Sequence, residues 1–171
     1  MIEDQTSFLV LAPLAAAAIL LIYAAFSDLT RYLIPNWLNL LLASLSPFYF
    51  WFSDLSAEIM LMRSAIAVTV LIVGMLMHFR GLVGGGDIKL LASLSLWIPP
   101  NEWPLFLLTV LAAGGGLALV VLALRKMKGD MSDSFSNQGW RGRLLSRGVG
   151  IPYGVAIAIA GLASIWQVSG L

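Results

Sequence analysis

The chain has 171 residues, 60% of them hydrophobic and only 11% charged, where an ordinary soluble domain carries about a quarter charged residues. Its apolar runs approach or exceed the roughly 20 residues needed to cross a bilayer, which excludes a soluble globular domain and marks an integral membrane protein. A net charge of +1 points to no nucleic-acid partner, and the lack of cysteine excludes disulfides, thiolate metal sites and a cysteine nucleophile.

The N-terminus, Met1-Ile2-Glu3-Asp4-Gln5, is acidic and lacks the basic opening of a signal peptide, so the first apolar segment reads as a retained helix. Hydropathy predicts spans over 8–26, 37–53, 59–79, 88–100, 103–124 and 151–168. The expected fold is therefore all-α, with six transmembrane helices in one membrane-embedded domain over 1–171. Pro47 is expected to break the second span, and Pro99-Pro100 to stop the short fourth one. The segment 125–150 is rich in Gly, Ser, Asp and Asn and reads as a flexible loop, with a short surface helix around Arg141–Leu145.

Charge sets the expected orientation. Nine of the ten Lys and Arg residues (Arg31, Arg80, Lys89, Arg125, Lys126, Lys128, Arg141, Arg143 and Arg147) fall in the links after spans one, three and five. The other ends hold Glu3, Asp4, Asp54, Glu58 and Glu102, with Arg63 nearby. The positive-inside rule then places the basic side in the cytoplasm and both termini outside the plasma membrane. The basic residues of 125–150 are expected to fix topology and to touch anionic headgroups.

Asp28 and Asp87 both end up on the cytoplasmic side of this arrangement. A carboxylate at a membrane edge is costly and is retained where it is solvated or functional. Two facing carboxylates cannot both ionise readily, so one stays protonated; the pair can then activate water and donate to a carbonyl. Taken singly, each has an ordinary reading too: Asp28 as a helix-end charge beside Arg31, Asp87 as a helix cap beside Lys89. Gly84, Gly85 and Gly86 allow unusual dihedrals before Asp87 and leave room for an extended peptide. Pro35 holds Ile34 extended, and Asn36 is the expected N-cap of the second span.

Other residues carry less. His78 reads as a satisfied helix-end histidine, since no GxSxG nucleophile elbow accompanies it. Lys89 either tunes Asp87 and contacts substrate or acts as a topogenic charge. Arg63 is expected to snorkel outward or pair with Glu58. Gly114-Gly115-Gly116 is expected to let helices approach closely.

These residues bring a family into view. Gly84-Gly85-Gly86-Asp87 fits the GxGD signature of intramembrane aspartic proteases, and Gly86-Asp87-Ile88-Lys89-Leu90 resembles its version in the prepilin peptidases, or type IV leader peptidases. Asp28 with Arg31 and Ile34-Pro35-Asn36 is similar to that family's first aspartate motif. Ile151-Pro152-Tyr153-Gly154-Val155-Ala156-Ile157-Ala158 resembles the opening of its last helix. The resemblance implies an aspartic endopeptidase with Asp28 and Asp87 as catalytic pair. The site would be shaped by Gly84, Gly85, Gly86, Lys89, Arg31, Pro35, Asn36, Pro152, Tyr153 and Gly154. The implied reaction is cytoplasmic-side removal of a short basic leader from prepilin-like substrates, without metal or organic cofactor and in the setting of pilus assembly. Long members of the family add an N-terminal methyltransferase domain with paired CxxC motifs. With no cysteine, this chain resembles the short peptidase-only type of tight-adherence (Flp-type) pili. The rival readings are a GxGD protease acting on other membrane helices or signal peptides, a proton-coupled carrier, and a non-catalytic assembly protein.

Overall fold

The computed structural model describes residues 2–127, 139–146 and 149–169. All regular structure among the described residues is helical: α1 (Ile2–Arg31), α2 (Asn36–Phe52), α3 (Ala57–Phe79), α4 (Gly85–Ser95), a 3₁₀ turn (Pro100–Glu102), α5 (Trp103–Met127), α6 (Gly139–Leu145) and α7 (Tyr153–Ser169). Three stretches are long and apolar enough to cross a membrane: Leu9–Arg31, Ala57–Phe79 and Pro100–Met127. The predicted surface helix is α6. Lys128 and Arg147, and half of the predicted loop 125–150, lie outside the described residues.

Two boundaries depart from expectation for identifiable reasons. α2 runs through Pro47 instead of breaking there. Proline lacks the N–H that would bond the carbonyl of Ala43, and Ser46 Oγ donates to that carbonyl at 2.8 Å. α4 ends at Ser95, short of the predicted 100, and its 11 residues rise only about 16 Å. The freed carbonyls of Leu96 and Trp97 accept from Arg63 Nη1 at 3.4 and 3.0 Å. Arg63 therefore neither snorkels nor pairs with Glu58. It is buried (3% exposed), beside the rings of Tyr49 and Phe50, each 5.8 Å away. A cation there also suits the negative end of the α4 dipole.

The core forms where α1, α4 and α7 meet. Leu14, Ala17, Leu21 and Ala24 recur along one face of α1, all buried, and α1 packs along α7, where Ala156, Ile157 and Ala160 are buried too. Small residues let these backbones come close. A Cβ at Gly161 would stand 3.0 Å from both Leu21 and Leu94, so all three helices converge at that glycine. The outward faces carry Ile19, Leu40, Leu61, Leu111 and Leu119, each at least 65% exposed. Such a surface is tolerable in hydrocarbon and hazardous in water. This is a membrane protein.

α4 packs on α2, α3 and α7. α1 packs on α2 and α7. That layout brings the C-terminal end of α1 and the N-terminal ends of α4 and α7 to one place.

Candidate functional site

Asp28 lies in the last turn of α1, Asp87 in the first turn of α4, and Gly154 in the first turn of α7. A helix N-terminus leaves amide groups without intrahelical partners, and these attract an anion. The backbone amides of Gly154 and Val155 face the Asp28 carboxylate in this way. Asp28 is 6% exposed, and its Oδ2 has no hydrogen-bond partner. Half-buried Asp87 lies within electrostatic reach of it. Asp87 falls outside the three long apolar stretches. Burial first, and then the Asp28 charge, push its carboxyl up to about 6. A carboxyl so placed keeps its proton to higher pH than a free one, which suits it to donate a hydrogen bond.

The glycines act by size. Gly84, the N-cap of α4, has φ −67°, so no unusual dihedral is in play there, contrary to expectation. Its hydrogen is what matters: a Cβ would stand 2.6 Å from Asp87 Oδ2. At Gly85 a Cβ would crowd the His78 ring at 3.2 Å, and at Gly86 the Ile34 side chain at 3.3 Å. At Gly154 it would stand 2.8 Å from Asp28 Oδ2 and 2.7 Å from Ile34 Cδ1. Ile34 is therefore wedged between the segment that carries Asp87 and the helix end that faces Asp28. The extended turn at Ile34-Pro35 (Pro35 φ −63°, ψ 141°) aims it there.

Asn36 is not the N-cap of α2; Pro35 occupies that place and no side chain caps it. Asn36 Oδ1 instead accepts from Lys89 Nζ at 2.8 Å, which ties α2 to α4 two residues past Asp87. Arg31 is exposed at the end of α1. Pro152 is fully buried ahead of α7, and Tyr153 packs over Gly114, where a Cβ would meet its ring at 2.6 Å. Gly115 and Gly116 have nothing within 4 Å, so only Gly114 of that triplet serves close packing. His78 is satisfied as expected, its Nδ1 lying 2.9 Å from the Val83 carbonyl.

Three neighbours of the site escape sequence reasoning. Tyr32 follows Arg31 with φ 55°, left-handed backbone rarely adopted by a bulky residue, and its hydroxyl is buried without a partner. Arg143 Nη2 donates to the Thr30 carbonyl at 2.8 Å and pins α6 to the end of α1. Arg125 donates to the carbonyls of Leu144 at 3.0 Å and Val149 at 2.9 Å, holding the approach to α7. Two of the basic residues expected merely to fix topology thus brace the segment that delivers Gly154. The only sequence signal for Tyr32 is its place inside the first aspartate motif.

No curated protein and no solved structure gives a significant match to the chain. The family model for type IV leader peptidases matches residues 15–119, which include both aspartates and all three glycines before Asp87. The Pro152-Tyr153-Gly154 segment lies beyond that match, yet it packs directly on Asp28. The chain belongs to the type IV leader peptidase family, a family of proteases.

Proposed function

We propose that this protein is an intramembrane aspartic endopeptidase that removes the short basic leader from type IV or Flp-type prepilins, with Asp28 and Asp87 as the catalytic pair. The observation that carries the reading is the convergence of two carboxylates from separate helices, one backed by the amides of Gly154 and Val155 and the other held toward its protonated form. Such a pair titrates as a unit. Its ionised member takes a proton from water; its protonated member donates to the scissile carbonyl oxygen as charge develops there. The hydroxide equivalent adds to the carbonyl carbon, the C–N bond breaks, and the departing amine takes up a proton. Exposed Gly84 carries no side chain to obstruct an extended leader beside Asp87, and an extended peptide exposes the carbonyl that a helix would hide.

In this reading the whole chain is one domain with six membrane-embedded helices. Both termini lie outside the plasma membrane and the carboxylates face the cytoplasm, in keeping with the nine basic residues on that side. α4 completes its crossing through non-helical residues 96–99, where Arg63 supplies the pairing that backbone at lipid depth requires. The substrates are prepilin-like membrane proteins of a pilus assembly system.

The test is cleavage of a co-expressed Flp-type prepilin in membranes by wild type, Asp28→Asn and Asp87→Asn. Leader removal by wild type and intact precursor with both variants is the expected result. Continued cutting by either variant would sink the paired-aspartate mechanism. Failure of wild type to cut a panel of prepilins while cutting other membrane helices would favour a broader GxGD protease.

A further inference from the structure

A groove of about 590 Å³ runs between α2, α3 and α4, within the ~300–1,000 Å³ typical of ligand pockets. α2 and α3 each pack on α4 rather than on one another, so α4 forms the floor. The lining changes with depth. Asn36, the first residue of α2, and Lys89, the fifth of α4, form the mouth, and their mutual bond uses one of the three ammonium donors. Asn39 follows one turn along α2; it is 5% exposed, and neither its Nδ2 nor its Oδ1 has a partner. Ala43, Ala67, Ala92 and Leu96 continue the groove as an apolar channel.

We propose that this groove binds one anionic phospholipid: its phosphate at Lys89 and Asn36, and an acyl chain along Ala43, Ala67, Ala92 and Leu96. The cationic mouth and the apolar channel match the headgroup and the tail of such a molecule in order. The cation at the mouth calls for an anion, and it sits on the basic side of the protein, where anionic headgroups gather. A free phosphate would leave the channel bare. An apolar helix would bring no anion to Lys89. The inference goes beyond the peptidase reading and does not depend on it, because its readout is lipid binding.

Native mass spectrometry of the full chain in detergent tests it, titrating phosphatidylglycerol against phosphatidylcholine of the same acyl chains. The expected result is one saturable phosphatidylglycerol adduct, bound about five- to tenfold more tightly than phosphatidylcholine. Lys89→Gln abolishes that preference and Lys89→Arg keeps it. Ala67→Trp, which fills the channel, removes the adduct of both lipids while a melting curve confirms the fold. Equal binding of the two lipids to wild type overturns the proposal. So does a phosphatidylglycerol adduct unchanged by both Lys89→Gln and Ala67→Trp. An apolar transmembrane peptide that crosslinks to Ala67 and is not displaced by phosphatidylglycerol overturns it in favour of a peptide groove.

Discussion

A methyl group at either of two glycines would crowd one of the paired carboxylates. Gly154→Ala would place a carbon 2.8 Å from Asp28 Oδ2, and Gly84→Ala one 2.6 Å from Asp87 Oδ2. Each is expected to lower cleavage by roughly 10²-fold, the scale of loss for a misplaced reacting group, with the protein still inserted. Gly115→Ala and Gly116→Ala, with open space around them, should leave cleavage unchanged and add up to about 1 kcal/mol of helix stability. Prepilin processing in membranes, normalised to protein level, checks all four. The Asp87 carboxyl offers a second test. Its proton leaves as pH rises through about 6, so kcat/KM should fall above that value. Its folded-state pKa lies above the usual 3.8, so its stabilising contribution is full below about 4 and lost as pH rises through about 6. Asp28→Asn removes the neighbouring charge and should move the Asp87 titration downward. An infrared titration of its carboxyl band in purified protein would show the shift, and an unmoved band would mean the two groups do not interact.

Element ends decide where this fold is vulnerable. α4 is too short to cross a bilayer alone, and its last carbonyls depend on one buried guanidinium. Arg63→Met keeps the volume and loses those bonds; it should destabilise the protein by about 2–3 kcal/mol, since hydrogen bonds to charged groups contribute on that order. Thermal unfolding in detergent measures it, and Arg63→Lys should recover only part, because a compact, strongly hydrated ammonium is costlier to bury than a guanidinium. At the opposite side, Arg143→Ala removes the donor that pins α6 to the Thr30 carbonyl. It is expected to lower cleavage several-fold while leaving thermal stability within about 0.5 kcal/mol, as for an exposed contact. A matching loss of stability would mean that Arg143 supports the whole bundle rather than the site.

Across the whole molecule, the crossings and the site depend on one another. The six-helix arrangement puts both aspartates on the basic side only if α4 counts as a crossing. Reporter fusions at the two termini and after Met127 should read outside, outside and cytoplasmic. A cytoplasmic C-terminus would remove α4 or α7 from the set of crossings and, with it, the placement of Asp28 against Gly154.

Much of this was legible in the chain itself. Apolar runs, the lopsided distribution of basic residues and the two aspartate motifs all depend on local composition and short spacing, which a linear sequence displays directly. Hence the helical membrane fold, the family and the named aspartates could be read without coordinates. What required the tertiary structure were relations between distant residues. Arg63 reads as a stray surface charge until the end of α4 is seen 33 residues away. Pro47 reads as a break because the hydroxyl of Ser46 is not yet known to cover the Ala43 carbonyl. Asn36 reads as a cap until Lys89, 53 residues on, takes its oxygen. Gly84, Gly85 and Gly86 read as a source of unusual dihedrals and of room for a peptide, whereas packing makes Gly84 a space for the Asp87 carboxylate and Gly85 and Gly86 spaces for His78 and Ile34. Local periodicity determines which segments are helices and which side their charges prefer; only packing decides which carbonyl, amide or carboxylate meets a given side chain, because those partners are distant in the chain and adjacent only after folding.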